Sequence, residues 1–76
     1  MIIHKNGWEL RDDNGAGNLV QAGDSYNDFR GAPHRIEGGN PPHKPSSTGR
    51  IWTDKGEFFP GVCNLTWVKR DDQTNH

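Results

Sequence analysis

GGNPPHKPSSTGRIWTDKGEFFPGVCNLTWV, residues 38–68, is where the large apolar residues of this 76-residue chain cluster. They fall in three short groups: Ile51 with Trp52, Phe58 with Phe59, and Leu65 with Trp67 and Val68. Gly, Pro or Asn separates one group from the next, which is how short strands joined by turns look in sequence. The segment NPPHKPSSTG ahead of them can be neither helix nor central strand. Pro41, Pro42 and Pro45 lack amide donors and push their predecessors toward extended geometry. A long proline-rich loop is therefore expected, followed by a strand at residues 50–53, a tight turn at Asp54, Lys55 and Gly56, and a return strand at 57–59. Pro60 and Gly61 stop that strand, a single 3₁₀ turn is expected at 62–64, and a last strand at 65–68.

Working outward toward the N-terminus, Arg35, Ile36 and Glu37 read as a strand ended by Gly38 and Gly39. Pro33 assigns that strand to an edge or a corner. Tyr26 and Phe29 are three apart, so alternation there requires a bulge near Asn27 and Asp28 or a bend at Arg30 and Gly31. Asp28 and Arg30 are expected to fix that bend by a local ion pair or backbone bonds. Trp8 and Leu10 alternate with Glu9 and Arg11, a half-buried strand. After the turn DDNGAGN, Leu19 and Val20 are expected to return as its hairpin partner. Lys69 to His76 is read as a disordered polar tail.

Helical periodicity of useful length is absent, so the fold class is all-β, five to six short antiparallel strands around a long proline-rich loop. Only 29% of the residues are hydrophobic, and mean hydropathy is −1.03. The three Trp and three Phe are expected to supply much of the core. A chain this size buries only about 60% of its unfolded surface, and the lone Cys63 excludes an internal disulfide. A homo-oligomer is the expectation that follows. One cysteine, no apolar run of signal-peptide length and no segment long enough to span a membrane point to a cytoplasmic protein.

The net charge of −1 excludes an obvious polyanion binder. Arg30, Arg35, Lys44 and Arg50 nevertheless stand against Glu37 alone between residues 30 and 50. These four cations define an alternative nucleic-acid face, with Arg30 beside Phe29 and Arg50 near Trp52 as stacking pairs. The competing assignment places Phe29 and Trp52 in the core or a subunit interface, and in so apolar-poor a chain the core is favoured.

The best candidate ligand surface is PPHKPSSTGR. His43, Lys44, Ser46, Ser47, Thr48 and Arg50 supply the hydroxyls and cations that anions select. The structural alternative is a loop whose hydroxyls bond nearby backbone. Catalysis by His43 with Ser46 or Ser47 would need an orienting group and an oxyanion pocket, and nothing marks either, so no catalytic residue is assigned. His4, His34, His43, His76 and Cys63 match no metal-ligand spacing, each histidine being read as solvent-facing or singly bonded. No metal or cofactor is implied.

Two resemblances rest on these residues. Gly23 and Asp24, then Gly49, Arg50 and Ile51 after the long loop, then Phe59-Pro60 followed by Leu65, resemble a Src-homology-3-like small barrel. That similarity implies a barrel over residues 23–68 with the 1–22 hairpin packed on it and the 69–76 tail beyond. DFRG, GGNPPHKPSSTGRI and FFPGVCNLTWV are similar to short uncharacterised proteins of bacteriophages and other mobile elements, such as plasmids or integrons. That resemblance implies a travelling gene and no activity. A fainter similarity to the plasmid-borne dihydrofolate reductase fails at Phe58 and Phe59, which cannot supply a polar pore's hydrogen bonds. The function these features favour is a small non-enzymatic binding or adaptor module, self-associating and acting through protein contacts. A nucleic-acid-binding barrel and a small anionic-ligand binder are the alternatives.

Overall fold

The computed structural model describes residues 1–70 and is all-β. Among the described residues the strands are β1 (His4–Lys5), β2 (Trp8–Arg11), β3 (Ser25–Asn27), β4 (Pro33–Asn40), β5 (Arg50–Thr53), β6 (Gly56–Phe58) and β7 (Thr66–Lys69). They form two antiparallel sheets, ordered β1-β2-β7 and β3-β4-β5-β6. The order long loop, strand, tight turn, strand, aromatic-Pro, 3₁₀ turn, last strand is present and compatible with the small-barrel pattern. Among the described residues no helix is long and apolar enough to cross a membrane.

Turn chemistry fixes the hairpins. Asn6 and Gly7 take positive φ (53° and 86°), the pair of left-handed residues that a two-residue hairpin requires, and β1 folds back on β2. Thr53 pairs with Gly56 across Asp54 and Lys55, and the Thr53 hydroxyl accepts the Lys55 amide at 2.9 Å. The 3₁₀ turn runs over Pro60–Cys63, two residues earlier than its sequence signal, because Pro60 pre-sets φ for its first position. Left-handed Asn64 closes it.

Several expectations are corrected. Leu19 and Val20 do not form a return strand for β2; the contact shrinks to a bridge between Arg11 and Leu19 and a bond from the Val20 amide to the Leu10 carbonyl. The full-length partner of β2 is β7, with Leu10 opposite Trp67. The 1–22 segment is thus built into a sheet with the C-terminal strand, not laid on a finished barrel. Lys69 ends β7, and the Arg70 amide bonds the Gly7 carbonyl at 2.8 Å. Of the expected tail, residues 71–76 lie outside the described residues.

β4 is a central strand, and Pro33 is tolerated because it is the first residue. The strand also runs through Gly38 and Gly39 to Asn40. The register shifts between Ile36 and Gly38, and a Cβ on Gly38 would come within 3.0 Å of the Trp52 indole nitrogen. A Cβ on Gly39 would lie 2.4 Å from the Arg50 carbonyl oxygen and 3.0 Å from the Trp67 ring.

The core is aliphatic rather than aromatic: Ile3, Leu10, Val20, Ile36, Ile51, Cys63 and Leu65, with Trp67 as its one buried aromatic ring. Trp8, Tyr26 and Phe58 pack against it while partly exposed. Phe29, Trp52 and Phe59 are 78%, 38% and 56% exposed, so the core assignment of Phe29 and Trp52 is overturned. Alternation decides this. On β5, Ile51 and Thr53 point inward, which turns Trp52 out, where it covers Gly38 across the strand pair.

Two glycines separate packing from conformational freedom. Gly39→Ala is expected to destabilise by about 1–3 kcal/mol through overpacking against Trp67 and the β5 backbone. Gly61→Ala, whose Cβ would meet nothing within 4 Å, is expected to be neutral or to stabilise by up to about 1 kcal/mol. Urea unfolding of the two variants measures both signs.

Candidate functional site

The loop of residues 41–49 leaves β4 at Asn40 and re-enters at Arg50, two residues paired across the strands. Its base is tightly held. The Lys5 ammonium donates to Asn40 Oδ1 at 2.7 Å, and the Ser47 amide donates to the Lys44 carbonyl at 3.0 Å. Gly49 adopts φ +78°, and a Cβ there would sit 2.8 Å from the Trp67 ring and 2.5 Å from the Asn40 carbonyl oxygen. The Trp67 indole lies between this glycine and Gly39, and its Nε1 donates to the Arg50 carbonyl at 3.2 Å.

Between this loop and the sheet ends lies a trough with two unlike halves. All six candidate ligand residues, His43, Lys44, Ser46, Ser47, Thr48 and Arg50, line an open cleft of about 660 Å³ floored by Phe59. Ser47, Thr48 and Phe59 also border a second cavity of about 470 Å³, whose other walls include Trp8, Pro42, Pro60, Leu65 and Trp67. One half is polar and cationic, the other aromatic and proline-walled.

The bonding state of the polar half is informative. Ser47 follows the structural alternative, its hydroxyl accepting the Gly49 amide at 3.1 Å. Among the described residues the side chains of His43, Lys44, Ser46 and Thr48 have no hydrogen bond or ion pair. Lys44 stands apart even among the cations: every other described Lys or Arg has an acceptor or a ring beside it. Arg50 is stacked 4.1 Å from the Phe59 ring centroid and reaches Glu57 through Nε at 3.2 Å. That pair is exposed, where such bridges contribute little.

The alternative cationic face is not gathered in this way. Arg30 sits in the β3–β4 turn, stacked on Phe29 at 5.4 Å. The eight-residue strand β4 separates it from the Asn40–Arg50 pair by roughly 23 Å, seven steps of about 3.3 Å. Arg35 is paired with Glu37 at 3.2 Å.

A second polar cluster was invisible to motif reading. His34 is 2% exposed, not solvent-facing, and has two partners: Nε2 lies 2.9 Å from Asp28 Oδ2 and Nδ1 lies 3.0 Å from Thr53 Oγ1. Phe58 packs edge-on against its ring. Asp28 Oδ1 also accepts the amides of Arg30 and Ala32, both at 2.9 Å, so the bend is held by backbone bonds. The His34 bond, with the Ala32 and Arg30 amides, holds the Asp28 carboxyl down at about 2, so it is an acceptor. In neutral His34 the proton therefore sits on Nε2, Nδ1 accepts the Thr53 hydroxyl, and Thr53 Oγ1 still accepts the Lys55 amide. Carboxylate, imidazole and hydroxyl line up, but Thr53 is 6% exposed and faces the interior. The cluster ties the β3–β4 turn to β5 rather than presenting a nucleophile. Burial, and after it the Asp28 charge, raises the Cys63 thiol, which keeps it protonated and unreactive at neutral pH.

Comparison with known proteins decides nothing further. No family model, curated protein or solved structure matches this chain.

Asp28 gives a pH prediction with a fixed sign. Its folded pKa of about 2 lies below the ordinary 3.8, so its contribution is complete above the unfolded value and lost as pH falls through the folded one. Unfolding followed from pH 5 to 2 is expected to show wild-type stability declining from about pH 4 downward. Asp28→Asn is expected to be less stable at pH 5 and to converge on wild type near pH 2.

Proposed function

We propose that this protein is a small non-enzymatic binding module that acts through protein contacts, with the trough beneath the proline-rich loop as its ligand surface. The observation that carries it is the contrast within that loop. Its C-terminal end is seated at Gly49 against Trp67 and the Asn40 carbonyl, and the Ser47 hydroxyl holds the Gly49 amide, while Lys44, His43, Ser46 and Thr48 are held out with no partner among the described residues. An ordered loop of this length presenting unused donors above an aromatic floor suits recognition better than internal support. A protein ligand is favoured over a basic-face ligand because Arg35 and Arg50 are each opposed by a glutamate and Arg30 is remote. The exposed rings of Phe29, Trp52 and Phe59 add apolar surface suited to self-association. In the mobile-element setting that the sequence resemblance implies, such a module would serve as an adaptor.

The test is a screen of short extended peptides, and of the protein against itself by dilution, read by amide chemical-shift mapping. Binding is expected to move Lys44, Thr48 and the Trp67 indole N–H. Phe59→Ala, at a 56% exposed position, is expected to keep the fold by circular dichroism and weaken binding about tenfold. Shifts confined to the outer face around Arg35 and Trp52, or none with any peptide or at any concentration, would remove the trough as the ligand surface.

A further inference from the structure

We infer that the trough selects one kind of partner side chain, an aromatic ring carrying a phosphate, as in a phosphotyrosine-bearing peptide segment. The inference rests on the trough being the ligand surface and adds the chemistry of what fills it.

The two halves adjoin across Ser47, Thr48 and Phe59, so a single group long enough to cross that border meets both. On the polar side the available donors are Lys44 Nζ, the hydroxyls of Ser46 and Thr48, and the two terminal nitrogens of Arg50, whose bond to Glu57 uses Nε alone. That is more donor capacity than one carboxylate absorbs. It suits the three oxygens and near-double charge of a phosphate. Lys44, without a partner, lines the same cleft as the Arg50 guanidinium, which is braced on Phe59 and opposed by Glu57, so the cleft carries one uncompensated positive charge. His43 at the rim can add a donor.

On the other side Trp8, Trp67, Phe59 and Pro42 offer flat carbon surfaces, which an aromatic ring covers better than a branched aliphatic chain. Trp67 Nε1 is already used on the Arg50 carbonyl. The buried wall therefore lacks that donor for reading the polar edge of a nucleobase, which favours a phenyl ring over a purine. The acidic side chains nearest these residues are already paired, Glu57 with Arg50 through Nε and Glu9 with Arg11 and Arg70.

The experiment is a set of parallel titrations of the full chain, followed by amide and indole N–H shifts. The probes are N-acetyl-phosphotyrosine amide, N-acetyl-tyrosine amide, inorganic phosphate and AMP. The phosphotyrosine probe is expected to move Lys44, Thr48 and the Trp67 indole N–H together, and to bind about tenfold or more tightly than inorganic phosphate or the unphosphorylated amide. Raising salt is expected to weaken it. Lys44→Ala, a change at a side chain without internal partners, is expected to leave the melting temperature unchanged and to reduce affinity about tenfold. Equal binding of inorganic phosphate would show that the aromatic half takes no part. Tighter binding of AMP would reassign the site to nucleotides, and no shift at millimolar probe would overturn the inference. In each of these cases, a peptide of other chemistry that still moves the trough resonances would leave the protein-contact proposal standing.

Discussion

Trp67 joins parts of the chain that share no hairpin. From β7 its indole reaches across to donate to the carbonyl of Arg50 on β5, and its ring fills the slot left by Gly39 on β4 and Gly49 at the end of the loop. On its own strand it stands opposite Leu10 of β2. The two sheets, the closing of the core and the seating of the proline-rich loop therefore meet at one side chain. A buried indole N–H must find an acceptor, and here the acceptor is the carbonyl of the first β5 residue, which sets where the loop has to end.

The core around that ring is small and mostly aliphatic, because pleat alternation removes several aromatics from it. Ile51 and Thr53 inward means Trp52 outward, and Phe58 inward leaves Phe59 outside, next to Arg50. The interior position freed on β4 is occupied by His34, a polar group that is tolerable only because both ring nitrogens have partners. The Asp28 carboxylate thus serves twice, capping the amides of its own turn and satisfying a buried imidazole. The outward aromatics are the other consequence of the same alternation, and one of them, Phe59, is the floor of the candidate ligand cleft.

The candidate site divides along similar lines. The polar half was legible as PPHKPSSTGR, because prolines exclude regular pairing and a run of hydroxyls and cations suits anions. All six of those residues line one cleft. The aromatic half was not legible. Trp8, Phe59 and Trp67 are distant in sequence from the loop or carry no pattern relating them to it, and only the β2–β7 pairing and the Gly39–Gly49 slot bring them beneath it. Arg30 shows the converse: near in sequence to the other cations, it is placed at the far end of an extended strand. His34 was missed although its spacing from Ile36 is two, since a histidine gives no sign of its burial until its partners are known.

By itself, the amino-acid sequence determined the all-β class, the turns at Asp54 to Gly56 and after Phe59-Pro60, and the irregular loop, because glycine and proline act through their own φ angles and need no distant partner. Tertiary structure decided that β2 pairs with β7 instead of with Leu19 and Val20, that β4 continues through two glycines, and which rings are buried. The physical reason is that backbone donors and acceptors are the same on every strand. The choice among partners is made by what the side chains behind them can fill, here the Trp67 ring between Gly39 and Gly49.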